Sequence, residues 1–357
     1  MDRKLKAFQY GVGKMSVYTL RYLIEKGAEV VGAVDVNPAV IGKDVGEVAG
    51  LGPLGVTVSD AKDVDAVLAA TRPDVAVITT LSTMADVEDA FAACARNGVN
   101  AISTAEEALF PWNSSPAIVE RLDALAKEHG VTLAGSGYPD MFWGTLIETV
   151  AGAMATITEI RGVSSYNVED YGIALANGHG AGLTTEEFEA EIGKFNGLSA
   201  AEQQRLVEAG EKVPSYMWNQ NGWLASKLGL TVVEQHEVCV PTTHATDLIS
   251  STLGMTVPAG QPTGMSAIVT TTTAEGITLI TECIGKVYAP AEFDRNDWTF
   301  VGEPTTTVNV NRPATAELTC STLVNRIPAL IKAAPGFVST DRLPNSVYLV
   351  RPINEYC

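Results

Sequence analysis

Two short stretches hold the residue types best suited to chemistry. In Ala7-Phe8-Gln9-Tyr10-Gly11-Val12-Gly13-Lys14-Met15-Ser16 an apolar run stops at a glycine pair, and Val17, Leu20, Leu23 and Ile24 then recur at helical spacing. That order reads as strand, tight turn, helix. Gly11 makes the turn, and Gly13 lets backbone N–H groups approach a pyrophosphate at the start of the helix. The candidate cofactor loop is Gly11, Val12, Gly13, Lys14 and Met15, with Ser16 where the dinucleotide fingerprint has its third glycine. A second apolar strand, Val30-Val31-Gly32-Ala33-Val34, ends at Asp35. A carboxylate there accepts hydrogen bonds from the adenosine ribose hydroxyls and repels a 2′-phosphate. NAD(H) is therefore the expected cofactor, and Asn37 and Lys43 in the following loop keep NADP(H) open. The structural alternative is a tight strand–helix turn whose terminal Asp caps a loop.

The second stretch is Ser103-Thr104-Ala105-Glu106-Glu107. Ser103-x-x-Glu106 and Thr104-x-x-Glu107 both fit a capping box, and only one of them can start a given helix. If Thr104 caps, Glu107 is structural and Glu106 faces the cleft. A carboxylate beside a nicotinamide can take a proton from an amine and stabilise an iminium cation. Glu106 is the catalytic candidate, although spacing alone leaves the choice between Glu106 and Glu107 open. Ser82 and Thr83 follow the preceding strand and either touch the nicotinamide half or cap a helix. Further on, Tyr138, Phe142 and Trp143 are candidate walls of an apolar substrate pocket, the alternative being plain core. Asp140 among them reads as a helix N-cap. Tyr166, Glu169, Asp170 and Tyr171 end a long strand and can return polar groups to the same place. Asp170 with His179 forms a candidate acid and base, or both are solvated loop residues. The hydroxyls after Glu303-Pro304, ending with Thr307, are candidates for substrate contact.

Regular elements must position these residues. Strands at 55–58, 75–80, 100–103 and 132–135 alternate with helices at 64–70, 85–96 and 116–129. Such alternation implies a parallel, doubly wound sheet of the Rossmann type, which gathers ligands beyond the carboxyl ends of its strands. The pattern then changes. A β-branched run at 157–168 precedes helical stretches at 184–195, 200–211 and 218–228. Long β segments follow at 231–243, 267–287 (with a turn at Ala274-Glu275-Gly276) and 298–311. These read as an α+β domain with a largely antiparallel sheet. A last helix at 315–334 ends at Pro335-Gly336. The expected organisation is an α/β dinucleotide-binding domain at 1–140 and a substrate and dimerisation domain at 141–313. A helix and tail at 314–357 would pack back on the first domain.

Composition bounds the partners. At 357 residues and 46% hydrophobic content the chain can fill two cores. No apolar run reaches membrane-spanning length, and no apolar leader follows Met1-Asp2-Arg3-Lys4, so no signal peptide is expected. Cys94, Cys239, Cys283, Cys320 and Cys357 form neither a disulfide framework nor a zinc spacing, which points to a reducing cytoplasm. The histidines show no paired spacing, and no metal site is expected. A net charge of −18 argues against nucleic acid and anionic membranes as partners. Sparsely charged strands such as 267–273 need a cover, and a homodimer through this sheet supplies one.

Several motifs recur together across nearly the whole chain. They are Gly11-Val12-Gly13-Lys14-Met15, Gly32-Ala33-Val34-Asp35-Val36-Asn37-Pro38, Gly42-Lys43-Asp44-Val45-Gly46, Ile102-Ser103-Thr104-Ala105-Glu106-Glu107, Gly302-Glu303-Pro304 and Val324-Asn325-Arg326-Ile327-Pro328 with Ala334-Pro335-Gly336. In this order they resemble the 2,4-diaminopentanoate dehydrogenase family. That family includes the native NAD(P)-dependent amine dehydrogenases and belongs to the dihydrodipicolinate-reductase-like group. The resemblance implies reversible reductive amination of a ketone or aldehyde with ammonia. It places the active-site glutamate at Glu106 and pocket aromatics at Trp143, Tyr166 and Tyr171, and it too points to a homodimer. The His-His and Asp-Ala-Pro-Ser-Gly signature of true dihydrodipicolinate reductases is absent. The stretches 103–110, 137–147 and 164–178 contain no Lys or Arg. A buried carboxylate wants a cation, so simple ketones and amines are favoured over 2,4-diaminopentanoate unless Lys286 or Arg295 supplies that charge. A non-catalytic dinucleotide sensor is the remaining alternative, and it has no use for Glu106.

Overall fold

The computed structural model describes residues 3–357; Met1 and Asp2, part of the stretch read for a leader, lie outside them. The chain divides into two compact units. One contains the residues up to Met141 together with Ala316–Cys357, and the other is Phe142–Thr315.

In the first unit β1 (Lys6–Tyr10), α1 (Lys14–Glu25), β2 (Glu29–Asp35), α2 (Val45–Val48), β3 (Val58–Asp60), α3 (Val64–Thr71), β4 (Val75–Ile78), α4 (Met84–Arg96), β5 (Asn100–Ser103), α5 (Pro116–His129) and β6 (Thr132–Gly135) follow in turn. The strands lie parallel in the order β6-β5-β4-β1-β2-β3. The direction of winding reverses between β1 and β4, where such sheets open a crevice for ligands. Burial on both faces explains the continuous apolar strands. Phe8, Ile78, Phe91 and Leu122 pack in one core layer, while Ala7, Leu23, Val77, Leu323 and Ile327 pack in another.

A π-helical turn, Pro139–Thr145, runs through the boundary into α6 (Leu146–Ala151). The second unit continues with β7 (Thr156–Asn167), α7 (Ile173–Gly178), α8 (Thr185–Glu191), α9 (Ala200–Glu208), α10 (Tyr216–Leu228), β8 (Val232–Thr243), β9 (Leu248–Ser250), β10 (Met255–Val257), β11 (Pro262–Thr273), β12 (Thr278–Lys286), β13 (Arg295–Glu303) and β14 (Thr306–Asn311). Six strands form a sheet in the order β14-β13-β7-β12-β11-β8, antiparallel except for the parallel pair β7–β12. Register divides its side chains by face. Glu237, Thr271, Thr281, Gly162 and Trp298 share the face on which α10 packs, and there Asn221 bonds Thr271 at 3.0 Å and Thr281 at 2.9 Å. Val238, Ile268, Ile280, Val163 and Thr299 share the other face, and all are partly exposed.

Beyond the sheet, α11 (Thr315–Lys332) begins the return to the first unit, and β15 (Gly336–Phe337) pairs with β6 to make that parallel sheet seven-stranded. Two expected segments divide in the structure. Residues 298–311 are the hairpin β13–β14, and 184–195 breaks into α8 and a separate turn, Gly193–Phe195. No helix among the described residues is long and apolar enough to cross a membrane.

Candidate active site

In the first unit, polar groups gather at the carboxyl end of the parallel sheet. Gly11 has φ of +86°, and a Cβ added there would stand 2.7 Å from the Thr79 carbonyl oxygen, so only glycine fits. Behind it the buried Gln9 amide donates to the Gly11 carbonyl and to Thr79 Oγ1, both at 2.8 Å, and accepts from Thr19 Oγ1 at 2.8 Å. These bonds hold the turn from below. Gly13 is different. Its φ is −99°, and nothing lies within 4 Å of a Cβ built on it. The chain itself does not demand glycine there, whereas a phosphate approaching the backbone does. The first turn of α1 holds no acidic residue to compete with an anion for its positive end. Asp35 accepts from the Val12 N–H at 2.5 Å and from the Asn37 N–H at 2.7 Å, which fixes its carboxylate beside the glycine loop. An open glycine, an uncontested helix start and a fixed acid together fit a dinucleotide.

The neighbouring loops are tied by Thr104 N–H to the Ile78 carbonyl at 3.0 Å and Glu107 N–H to the Ser82 carbonyl at 3.2 Å. Here two adjacent carboxylates part ways. Glu107 is buried and accepts from the Met84 N–H and from the Ser114 and Ser115 hydroxyls, each at 2.6 Å. It is an anchor for the start of α4. Glu106 is half-buried, and desolvation pushes its carboxyl up to about 7 against the opposing hydrogen bond from Ser82. The expected capping box is not formed. Ser103 Oγ accepts from the Ala105 N–H at 3.0 Å, and the turn Glu107–Leu109 has no side-chain cap. Thr83 does cap α4, in a box closed by Asp86, so its hydroxyl is engaged there.

Asp140 is no N-cap. It is fully buried and meets Arg326 of α11 through two bonds of 2.7 and 2.6 Å, and Ser136 Oγ donates to it at 2.7 Å. Neither side chain is available for proton transfer in this arrangement. Tyr138, also buried, donates its N–H to Thr319 Oγ1 at 3.3 Å in the same unit.

The second unit gathers aromatic residues. The Tyr166 ring lies 5.7 Å from Tyr171 and 5.6 Å from His179, edge to face in both cases. His179 Nδ1 lies 2.8 Å from the Leu175 carbonyl, which makes that nitrogen the donor. Nε2 is therefore an acceptor, and the Tyr166 hydroxyl donates to it at 2.5 Å. Burial pushes His179 down to about 4, so the ring is neutral near pH 7. Gly285 makes the contact possible, because a Cβ there would stand 2.3 Å from the His179 ring. The expected pairing of His179 with Asp170 gives way to this neutral support for Tyr166. Tyr171 donates to Thr315 Oγ1 at 2.8 Å, and Thr315 donates to Asp294 at 2.6 Å. Trp143 is buried and Phe142 half-buried, and the Phe142 carbonyl accepts from Asn296 at 3.2 Å. Thr307 is not brought to this group. It is exposed on β14 opposite Thr299, on the sheet face away from Tyr166.

Comparison with known proteins bears on what these residues do. Residues 9–108 match the family model for the N-terminus of dihydrodipicolinate reductase. An amine dehydrogenase from Mycobacterium smegmatis is 37% identical, with a TM-score of 0.88 over 98% of both chains. The chain belongs to the amine dehydrogenase family. A 2,4-diaminopentanoate dehydrogenase from Acetoanaerobium sticklandii is 28% identical over 192 residues, or 52% of this chain. The match spans about half of that relative, 53% of its length. A scyllo-inositol dehydrogenase from Lactobacillus casei, solved with NAD(H) and scyllo-inositol, shares the fold at 14% identity, with a TM-score of 0.57 over 95% of this chain and 93% of its own.

Within this amine dehydrogenase family member, sequence reasoning passed over Gln9, Thr79 and Arg326. Gln9 did carry a signal, a polar residue inside an otherwise apolar strand. Arg326 lay in a quoted motif, but its partner Asp140 is 186 positions away in sequence, and no spacing rule links them.

Proposed function

We propose that this protein is an NAD(P)-dependent amine dehydrogenase that interconverts a ketone or aldehyde plus ammonia with the corresponding amine. One observation carries the reading beyond family membership: at the carboxyl end of the parallel sheet Glu107 is consumed by three donors, while half-buried Glu106 meets only the Ser82 hydroxyl and desolvation pushes its carboxyl up to about 7. A base tuned near the working pH exchanges protons most effectively. As carboxylate, Glu106 takes a proton from ammonium and frees ammonia to attack the carbonyl carbon. Loss of water leaves an iminium cation, which the carboxylate stabilises. Gly11–Met15 and Asp35 would hold the cofactor, which would supply the hydride that reduces this iminium to the amine. In sum, ketone, ammonium and NAD(P)H give amine, NAD(P)⁺ and water. Asp35 favours NAD(H). Tyr166, Tyr171, Phe142 and Trp143 offer the apolar wall that a simple ketone requires, with Tyr138 as a further candidate and Ser82 holding Glu106.

The diaminopentanoate reading needs a cation for the substrate carboxylate. The two cations that might hold a substrate carboxylate are engaged, Lys286 with Glu292 and Arg295 with Asp297 at 2.7 Å. We further propose a homodimer through the open sheet face and a cytoplasmic location, in keeping with cysteines that are all free among the described residues. The deciding experiment is an initial-rate screen of small ketones with ammonia and each reduced cofactor, run beside oxidation of 2,4-diaminopentanoate. Turnover of simple ketones with NADH supports the reading. Turnover of the diamino acid alone overturns the substrate assignment, and no turnover with either supports a sensor.

A further inference from the structure

We infer that Gln220, a fully buried amide set between the Tyr216–His179–Tyr166 cluster and the Trp223–Gly144 contact, selects substrates that carry a hydroxyl on their carbon chain. The inference rests on the proposed amine dehydrogenase function and concerns the same substrate.

Gln220 is 0% exposed, and neither Nε2 nor Oε1 has a hydrogen-bond partner. Other buried amides in the protein are used. Its neighbour Asn221 bonds Thr271 and Thr281, Gln203 bonds the backbone of Phe195 and Glu237, and Gln235 bonds the Trp218 carbonyl. A buried amide with both ends unmet is a standing cost, and in a native protein it calls for a partner. Helix geometry says where that partner would lie. Tyr216, Gln220 and Trp223 occupy positions i, i+4 and i+7 of α10 and share one face. At one end of this face the Tyr216 ring lies 6.3 Å from His179, which supports Tyr166. At the other end the Trp223 ring covers Gly144, where a Cβ would stand 2.8 Å away, immediately after Trp143. By its position on the helix Gln220 lies between these two contacts.

The chemistry of the amide defines the group it would read. It offers an NH2 group with two donors and a carbonyl acceptor, and a single hydroxyl can accept from the first while donating to the second. A carboxylate would meet Oε1 without a cation, since 137–147 and 164–178 hold no Lys or Arg and Lys212 is paired with Glu237. An alkyl chain would leave the amide unmet, and a site built to bond a hydroxyl rejects an analogue without one.

The test compares each hydroxyketone with the ketone in which methyl replaces hydroxyl. The pairs are hydroxyacetone with butanone, 4-hydroxybutan-2-one with pentan-2-one, and 5-hydroxypentan-2-one with hexan-2-one. The full-length holoenzyme is assayed with ammonia as wild type, Gln220→Met and Gln220→Leu. Ketone Kd is also read from tryptophan fluorescence, which needs no turnover. At one chain length or more, wild type should prefer the hydroxyketone by about tenfold or more. Both variants should abolish that preference, through a higher KM and Kd for the hydroxyketone and lower values for the alkyl ketone, whose chain no longer faces an unmet amide. Preference for the methyl member at every length overturns the inference, and this holds even if the variants fail to fold. So does a ratio unchanged in the variants, which identifies a structural glutamine satisfied by internal water. An equal loss of kcat on both members also overturns it, because the amide would then act at the reacting carbon. If no ketone is aminated while the Kd ratio behaves as expected, the proposed reaction fails and the hydroxyl site stands.

Discussion

Glu106 and Glu107 show how one residue of sequence separation can divide chemistry from structure. Their environments differ in what reaches the carboxylate: a hydroxyl from Ser82 in a desolvated place for Glu106, three donors for Glu107. Glu106→Gln keeps the shape and removes the base. The expected loss in kcat is ~10²–10⁴-fold at fixed free ammonia, with cofactor affinity nearly unchanged. The same variant has a stability signature. Desolvation holds the proton on folded Glu106 up to about 7, while the unfolded residue releases it near the ordinary value of 4.5. Wild type therefore loses stability as pH rises through that window, and the glutamine variant does not. Unfolding free energies should coincide below about pH 4 and diverge in favour of Glu106→Gln by pH 8, by about 3 kcal/mol at most. A pH-independent difference would remove the desolvated carboxyl from the account. Glu107→Gln should do the reverse. It disturbs a buried acceptor and should cost about 1–3 kcal/mol at pH 7 while the folded fraction keeps its turnover. If Glu107→Gln is the inactive variant and Glu106→Gln is only unstable, the two roles are exchanged.

At the scale of elements, the Asp140–Arg326 pair fastens the segment after β6 to α11. Both side chains are buried, and Arg326 also donates to the Pro344 carbonyl. Removing one partner strands a charge, so Arg326→Met should cost about 3–5 kcal/mol by thermal or urea unfolding. Pairing it with Asp140→Leu should recover much of that loss, because an apolar pair leaves no charge behind. Equal loss in the single and double variants would mean that shape, not charge, holds α11. The elements were largely legible beforehand. Period-two and helical patterns locate the strands and helices around Gly11, Asp35 and Glu106, because burial on both faces of a parallel sheet leaves continuous apolar runs. Contacts distant in sequence were not legible. Asp140 looks like a cap until Arg326 arrives, and Glu107 looks like the mate of Thr104 until Met84, Ser114 and Ser115 surround it. Thr307 shows a third limit. The alternation of Trp298 and Phe300 fixes the faces of β13, but the turn at Pro304 resets the count before β14. His179 resembled a base because exposure, which decides its titration, cannot be read from residue type.

For the whole molecule, the open sheet face and the acidic surface make opposing demands. Val163, Val238, Ile268, Ile280 and Ile284 lie on one face of the six-stranded sheet, partly exposed, while α10 covers the other face. This aliphatic stripe runs beside Glu159, Arg161, Glu234 and Glu282 on the same face, and it is the part that a partner would cover. A second copy of the chain is the proposed cover, and its approach must overcome the mutual repulsion of two chains at −18 each. The burial of apolar surface does not depend on salt at these levels, but the repulsion is screened within about 8–10 Å at 0.1–0.15 M salt. Dimerisation should therefore tighten as salt rises from 10 to 200 mM, the opposite of an assembly held by ion pairs. Light scattering at micromolar concentration should give twice the chain mass at 150 mM salt. Ile268→Asp places a charge on the partly exposed face without touching the core and should give monomers with unchanged far-ultraviolet circular dichroism. A wild-type monomer at 150 mM salt would end the proposal. A dimer that survives Ile268→Asp and weakens with salt would move the interface to another, more polar surface.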